Sequence, residues 1–218
     1  DANNALFAVG IIDCEEKGKK DCVLFGTREN EIVAYYSNGT MVPSWSAIAG
    51  GSIYKIINID LNNDSFDNNF VSVESGERVR VFNVSGDEIW SSENYAMVID
   101  VVLFNYSNDG LYNDLFIRTN DRVIAYNTTN GTTWTKLWTS TAIGSSNDGE
   151  MKSGSDVDSD GINDVIVNDR ENGNLHVFSG RNGTNIFNTT TWPTQPSSLG
   201  FGDFDRDGTR DEILYNTQ

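Results

Sequence analysis

Short apolar runs recur along the chain in pairs, and a stretch of about nine polar residues separates the two runs of each pair. In the second copy, an apolar run at 56–59 enters the polar stretch and another at 70–73 leaves it. Residues 78–82 then alternate charged and apolar side chains, a Ser-Gly-Asp turn follows, and the copy ends at Trp90. Apolar and alternating runs of this length, bounded by turn residues, predict β-strands. The pattern therefore predicts four short strands per copy, joined by turns.

The polar stretches recur at a spacing of about 47 residues and begin at Asp13, Asp60, Asn105, Asp156 and Asp203. Self-similarity at this period indicates an array of one supersecondary unit. We therefore predict an all-β fold, a β-propeller of four-stranded antiparallel blades that forms a single domain over residues 1–218. The predicted blades span about 5–50, 51–95, 96–142 and 143–193, with a half blade at 194–218. Each full blade ends on an aromatic residue that we expect to pack between blades: Trp45, Trp90, Trp138 and Phe187.

The half blade contains only the first two strands of a repeat. Propellers close by pairing their first and last strands, but both ends of this sequence fall in the same half of a blade. Two interpretations remain open. Either the sequence is truncated, or the half blade pairs with another chain, because an exposed strand edge is a template for strand addition.

The acidic polar stretches have the composition of calcium loops, because Ca²⁺ binds six to eight carboxylate, amide or carbonyl oxygens. The two strongest copies place carboxylates at positions 1, 3, 5 and 9 and glycine at position 6. An EF-hand would need glutamate at position 12, where these copies have Val167 and Leu214. Mg²⁺ is the weaker alternative, since it prefers a partly hydrated octahedral shell. The predicted ligands are Asp156, Asp158, Asp160, the Ile162 carbonyl and Asp164 in the fourth loop, and Asp203, Asp205, Asp207, the Thr209 carbonyl and Asp211 in the fifth.

The second and third loops carry fewer charges, and we expect weaker metal sites there. Their predicted ligands are Asp60, Asn62, Asp64, the Phe66 carbonyl and Asn68 in the second loop, and Asn105, Ser107, Asp109 and Asp114 in the third. In the first loop, Lys17 stands where the central carboxylate would be, and Cys14 and Cys22 flank the stretch. We expect Lys17 and a Cys14–Cys22 disulfide to replace calcium in that loop.

Two features point to an oxidising, extracellular compartment. A disulfide between the only two cysteines would persist there, whereas the alternative is a pair of buried reduced thiols. The second feature is a set of N-glycosylation sequons. These begin at Asn38, Asn63, Asn83, Asn105, Asn127, Asn130, Asn182 and Asn188. The sequence also begins at Asp1 without methionine, as a processed secreted protein would.

The charge of the chain excludes some partners. The chain has 15 basic and 32 acidic residues and a net charge of −17, which argues against nucleic acid and anionic membrane surfaces. It contains no apolar run of eighteen residues, so we expect no membrane insertion. Protein or glycan surfaces, including copies of the chain itself, are the expected partners.

The motifs Asp156-Val-Asp158-Ser-Asp160-Gly161 and Asp203-Phe-Asp205-Arg-Asp207-Gly208, each between two apolar strands, resemble the FG-GAP/VCBS repeats of integrin-alpha-like β-propellers. Gly200-Phe201-Gly202 is similar to the Phe-Gly start of those repeats. The resemblance implies calcium sites that stiffen the blades, and a role in adhesion, ligand binding or surface assembly.

Two functions are consistent with these features. The first is a non-catalytic, cell-surface module for recognition or for assembly into a lattice or filament. The second is a calcium-dependent lyase or hydrolase acting on polysaccharide, because such chemistry needs only two suitably spaced carboxylates. His176 is the only histidine, so it is either a structural strand residue or the one available imidazole base. We expect no catalytic residues.

Overall fold

The computed structural model describes residues 6–14, 21–43, 45–64, 68–75, 78–107, 112–144, 149–169, 172–189, 196–206, 208 and 212–217. Within these ranges every regular element is a β-strand, and no helix has the length and apolar character needed to cross a bilayer. The strands are β1 (Leu6–Ile12), β2 (Cys22–Thr27), β3 (Glu31–Tyr36), β4 (Ala47–Ile48), β5 (Ile53–Ile59), β6 (Asn69–Glu74), β7 (Val79–Phe82), β8 (Glu88–Ser91), β9 (Val98–Phe104), β10 (Asp114–Thr119), β11 (Val123–Thr128), β12 (Trp134–Thr139), β13 (Met151–Ser155), β14 (Asp164–Asp169), β15 (Asn174–Phe178), β16 (Asn185–Asn188), β17 (Pro196–Gly202) and β18 (Glu212–Thr217).

The strands form four four-stranded sheets and one two-stranded sheet, each ordered as in the sequence. The sheets are β1 to β4, β5 to β8, β9 to β12, β13 to β16, and β17 with β18. This confirms the predicted order of four strands per copy and the two strands of the fifth copy. By contacts, the chain divides into two compact units, Asp1–Val98 with Thr129–Trp134, and Ile99–Thr128 with Thr135–Gln218.

In the first unit, the β1–β4 sheet packs one face against the next sheet. We call this face, made by Ala8, Gly10, Ile12, Cys22, Leu24, Gly26, Ile32 and Ala34, the forward face of the sheet. It joins Ile53, Ile56, Phe70 and Phe82 of the β5–β8 sheet in one apolar core. The glycines permit the close approach, because a Cβ built on Gly10 would lie 2.5 Å from Ile56 Cγ2.

In the second unit, the same kind of contact occurs twice. Phe104, Phe116 and Val123 share a core with Val165, Val167 and Phe178 of the β13–β16 sheet. Ile166, Leu175 and Val177, which lie on the opposite face of that sheet, pack against Leu199, Phe201 and Ile213 of the β17–β18 sheet. The first, third and fourth sheets thus each bury one face against the sheet that follows in the same unit.

The tryptophans that end the first and third copies reach into the following copy. Trp45 Nε1 donates a hydrogen bond to the Val84 carbonyl at 2.6 Å, and Trp138 Nε1 donates to the Gly180 carbonyl at 2.9 Å. Both acceptors lie in the turn between the third and fourth strands of the next sheet. Phe187, the aromatic that ends the fourth copy, is 49% exposed.

Candidate metal centre

The fourth loop brings three carboxylates together between β13 and β14. Ligand atoms of Asp156, Asp158 and Asp164 all lie within 4.8 Å of one another. The loop wraps around Asp156, whose Oδ1 and Oδ2 accept hydrogen bonds from the backbone N–H groups of Asp160 (2.9 Å) and Gly161 (2.8 Å). Gly161 has φ +92°, a conformation that glycine adopts without steric cost. The Asp-X-Asp-X-Asp-Gly motif therefore folds into a tight turn that aims its acids at one point.

Asp164 is fully buried at the start of β14 and closes the loop. Its Oδ2 accepts hydrogen bonds from the N–H groups of Val157 (2.7 Å) and Asp158 (3.3 Å), and its Oδ1 accepts one from Gly180 N–H at 2.9 Å. Burial raises the pKa of Asp164 to about 6, and the nearby Asp158 charge also raises it, whereas the three backbone hydrogen bonds oppose the shift. A bound cation would favour the ionised form of all three acids.

Asp160, the predicted ligand at position 5, is held by an arginine instead. Arg181 Nε donates to Asp160 Oδ2 at 3.0 Å, and Arg181 Nη2 donates to the Asp160 backbone carbonyl. Asp160 Oδ1 accepts a hydrogen bond from Ile162 N–H at 2.9 Å. The Ile162 side chain lies in the apolar core beneath the loop. Sequence reasoning missed Arg181 because it is distant in sequence, in the turn between β15 and β16.

The fifth loop forms a second cluster of three carboxylates, which includes a residue that the motif did not predict. Ligand atoms of Asp203, Asp205 and Glu212 lie within 4.8 Å of one another. Glu212 accepts hydrogen bonds from Phe204 N–H at 3.3 Å and Asp205 N–H at 3.4 Å. These are the positions whose N–H groups bond Asp164 in the fourth loop, so Glu212 performs the same closing role. The predicted ligands Asp207, Thr209 and Asp211 lie outside the described residues.

Strand register explains the role of Glu212. In the fifth copy, Gly202 pairs with Glu212, whereas in the fourth copy Ser155 pairs with Asp164. The fifth loop therefore has one more residue between its paired strand ends. An acidic residue at position 10 was the sequence signal that could have indicated this ligand.

In the second loop, side-chain amides donate hydrogen bonds to an aspartate of the same loop. Asn62 Nδ2 and Asn68 Nδ2 donate to Asp64 Oδ2 at 2.8 and 3.2 Å, and Asp60 Oδ1 accepts from Asn63 N–H at 2.8 Å. Asn68 is only 5% exposed, and its buried Oδ1 has no hydrogen-bond partner. Phe66 lies outside the described residues. The amide donors stand where the stronger loops have carboxylates, which lowers the charge available to a cation.

The third loop keeps the closing acid. Asp114 Oδ2 accepts from Tyr106 N–H at 2.8 Å, and its Oδ1 accepts from Thr128 N–H at 2.9 Å. Asn105 is only 9% exposed and its Oδ1 is buried without a hydrogen-bond partner, which favours a ligand role over attachment of a glycan. Ser107 is exposed, and Asp109 lies outside the described residues.

The first loop is closed covalently. Cys14 and Cys22 form the predicted disulfide, with their Cα atoms 5.7 Å apart. Asp21 Oδ1 accepts a hydrogen bond from Cys14 N–H at 3.0 Å, the same closing contact that acids make in the third, fourth and fifth loops. Lys17, which we expected to replace the ion, lies outside the described residues.

The donor sets of the fourth and fifth loops fit Ca²⁺. Each presents three hard carboxylate oxygens within bridging distance of one cation. In the fifth loop, Asp203 Oδ1 is buried and has no hydrogen-bond partner, as expected of an atom that binds an ion. Asp156, Asp158 and Asp164 would hold an ion in the fourth loop, and Asp203, Asp205 and Glu212 in the fifth.

Residues 156–214, which contain both clusters, match the sequence profile of the FG-GAP-like repeat. This part of the chain is therefore similar to an FG-GAP-like repeat. The match confirms the resemblance inferred from the two Asp-X-Asp-X-Asp-Gly motifs. It covers the two loops whose carboxylate clusters the structure assembles.

Solved structures support the propeller fold at low sequence identity. The chain is similar to Saccharomyces cerevisiae Sqt1 (11% identity, TM-score 0.67, 92% of this chain and 53% of that one). It also resembles the computationally designed Ika8 protein (13%, 0.66, 97% and 58%) and the C-terminal WD40 domain of Sif2 (13%, 0.63, 98% and 52%). WD40 repeats form propeller blades, so these similarities confirm the predicted fold class of four-stranded antiparallel, propeller-like sheets. The chain spans little more than half of these structures' length, and no curated protein sequence matches it significantly.

Several predicted sequons lie in the turns between the third and fourth strands, beside the acidic loops. In three of these turns, at Asn38, Asn130 and Asn182, the asparagine side chain is exposed. In each, Asn Oδ1 accepts the backbone N–H of the sequon threonine, at 2.9, 3.1 and 2.9 Å respectively. Asn63 and Asn188 are also exposed, whereas Asn83 and Asn127 are half-buried.

His176 lies in the middle sheet strand β15 and is buried. Its ring stacks on Phe178 with the ring centres 5.9 Å apart. Burial lowers the pKa of His176, and the nearby Arg118 charge lowers it further, whereas Asp169 raises it. His176 pairs with Val167 in the middle of the two strands, where burial disfavours protonation of its ring.

Proposed function

We propose that this protein is an extracellular, calcium-stabilised propeller module with a non-catalytic role in surface recognition or self-assembly. The observation that carries the proposal is the recurrence of one arrangement. In the fourth and fifth loops, three carboxylates converge within 4.8 Å and the last of them closes the loop through two backbone N–H groups.

Calcium at these positions would act by joining strand ends. Each cluster takes ligands from both sides of a loop that connects the first and second strands of a sheet. An ion bound there removes the repulsion among the carboxylates and stabilises the folded state, because the unfolded chain does not hold the ligands together. The chemistry that the ion supplies is stabilisation of the loop.

The disulfide and the exposed sequons support the extracellular part of the proposal. A Cys14–Cys22 disulfide persists in oxidising compartments. Glycans on the turn asparagines would cover the loop end of the sheets and direct protein contacts elsewhere. Protein or glycan surfaces and copies of the chain are the proposed partners. Within the described residues β18 has only β17 as a neighbour, and its other edge is one place where another strand could pair.

Two observations about the acids and the histidine support a non-catalytic role. The clustered carboxylates are explained as cation ligands, and the single imidazole is buried and stacked on Phe178. Release of unsaturated or reducing sugar ends from polysaccharides incubated with the protein would contradict this part of the proposal.

The calcium claim is tested by thermal unfolding with calcium and with a chelator. An ion that binds only the folded state at a hundred times its dissociation constant adds about 2.7 kcal/mol to the free energy of unfolding. The double variant Asp158→Asn and Asp205→Asn should unfold like the wild type in chelator but gain little from calcium. Asp121→Asn, outside the loops, is the matched control and should respond fully. An unchanged wild-type Tm in chelator would contradict the proposal.

A further inference from the structure

A surface pocket of about 380 Å³ lies beside the second acidic loop. Its walls come from that loop, from the turn between β7 and β8, and from the turn between β11 and β12. All three segments belong to the first compact unit, which includes Thr129–Trp134. The third segment packs closely on the first, because a Cβ built on Gly131 would lie 2.8 Å from Leu61 Cβ. The pocket therefore lies between the second copy and the turn of the third copy that packs on it.

The polar part of the pocket is neutral. In a chain with a net charge of −17, none of the described residues that line the pocket is charged. Amides engage the acids nearby. Asn62 and Asn68 donate to Asp64 Oδ2, and Asn83 Nδ2 donates to Asp87 Oδ2 at 3.2 Å. An amide both donates and accepts hydrogen bonds, and the amides of the wall belong to Asn62, Asn68, Asn69, Asn83 and Asn130.

The pocket also has an aliphatic part, to which Leu61, Val84 and Ile89 contribute. Leu61 is 8% exposed, and the other two residues are half-buried. A purely apolar ligand would leave the amides of the wall without partners, which is costly. An ion would find no charged partner in the described wall. A saccharide suits both parts, because its hydroxyl groups donate and accept hydrogen bonds while its ring presents C–H groups.

We propose that this pocket binds a neutral saccharide. The inference rests on the recognition role proposed above and gives that role a class of ligand. Acidic saccharides are disfavoured, because the chain as a whole is strongly acidic and the described wall offers them no basic side chain.

Two lining asparagines begin sequons, so the saccharide could belong to the chain itself or to a partner. Asn130 is exposed, and its Nδ2, the atom that would carry a glycan, donates a long hydrogen bond of 3.4 Å to Thr133 Oγ1. Asn83 is half-buried, and its Nδ2 is directed to Asp87. Asn130 is therefore the better acceptor of a glycan. A glycan on Asn130 would begin at the pocket and compete with a free saccharide.

Titration of glycan-free protein, followed by saturation-transfer NMR, tests the pocket. Chitobiose and cellobiose are the neutral probes, and digalacturonate is the acidic one. We expect a neutral disaccharide to bind and the acidic one not to bind detectably. Ile89→Ala should weaken binding about fivefold by removing apolar contact area, and Asn69→Ala by a similar factor by removing an amide. Ile186→Ala changes the same position of β16 as Ile89 occupies in β8 and should bind like the wild type.

Protein secreted by a glycosylating host separates the two sources of the saccharide. Thr132→Ala removes the Asn130 sequon, whereas Thr132→Ser keeps it. If the Asn130 glycan fills the pocket, a free neutral disaccharide should bind to Thr132→Ala but not to Thr132→Ser. If the saccharide belongs to a partner, the two variants should bind it alike.

The proposal is overturned if neither neutral disaccharide binds the glycan-free wild type, or if Ile89→Ala and Asn69→Ala both bind as tightly as the wild type. Calcium stabilisation is judged separately. The double variant Asp158→Asn and Asp205→Asn changes only the second unit and should bind the saccharide like the wild type. An empty pocket would therefore leave the calcium claim in place, and an absent calcium response would leave the pocket in place.

Discussion

Arg181 and Asp160 form an ion pair across the rim of the fourth loop, with Arg181 Nε 3.0 Å from Asp160 Oδ2. Asp160 is at position 5, the central acidic position of the Asp-X-Asp-X-Asp-Gly motif. Arg181 therefore forms an ion pair with a carboxylate that could otherwise help to bind a cation. The corresponding acid of the fifth loop, Asp207, lies outside the described residues. We expect competition from Arg181 to lower the calcium affinity of the fourth loop.

Arg181→Gln should tighten calcium binding at the fourth loop. Removing the competing guanidinium frees Asp160, and since exposed ion pairs contribute about 0.2–1 kcal/mol, affinity should rise by a factor of roughly 1.4 to 5. Isothermal titration with calcium measures the change. Arg122→Gln, which breaks the Arg122–Asp121 pair away from the loops, should leave both affinities unaltered. Equal binding by wild type and Arg181→Gln would show that the ion pair does not compete with the ion.

Glu212→Gln should weaken the fifth loop selectively. The amide can still accept a hydrogen bond from Phe204 or Asp205 N–H, but one ligand charge is lost, and affinity should fall on the order of tenfold. Terbium luminescence titration can follow the two classes of site. The fourth loop should be unchanged, and Glu29→Gln in the first unit is a matched charge control. If Glu212→Gln binds normally, the closing acid is not a ligand.

The double variant Cys14→Ser and Cys22→Ser should lower the free energy of unfolding by about 2–3 kcal/mol, because the disulfide restrains a short loop in the unfolded chain. Urea denaturation measures the loss. Reducing agent should destabilise the wild type to the same extent and have no effect on the variant. Equal stability of oxidised wild type and variant would indicate that other contacts, such as Asp21 with Cys14 N–H, hold the loop alone.

His176 should make stability depend on pH. Burial lowers its pKa in the folded state, so the unfolded chain, with an ordinary value of about 6.5, binds the proton more readily. This contribution is complete above about pH 6.5 and is lost as the pH falls below that value. The difference in unfolding free energy between wild type and His176→Gln should therefore shrink from pH 7.5 to 5. A constant difference would contradict a neutral buried histidine.

Repetition made much of this fold predictable. Five acidic stretches at a regular spacing marked every connection between first and second strands, and alternation marked the strands, so strand order followed. The aromatic positions were also informative, because Trp45 and Trp138 each donate a hydrogen bond to a turn of the following sheet.

The carboxylate clusters were only partly predictable. Motif spacing identified Asp156, Asp158 and Asp164, because their geometry is set within one tight loop. Glu212 depends on the pairing register of β17 and β18, and Arg181 depends on a contact between turns distant in sequence. Local spacing contains neither kind of information.

The stacking of sheets has a consequence for how such a chain can change in length. In each described contact within a unit, an apolar face of one sheet packs against a face of the sheet that follows it, so the junctions are of the same type. Duplication or loss of one whole repeat would therefore rejoin surfaces that already fit, without a new interface having to arise. Gain or loss of about 47 residues at a time is thus the change in chain length that disturbs the sheet contacts least. The two acidic clusters would be copied or lost together with their sheets.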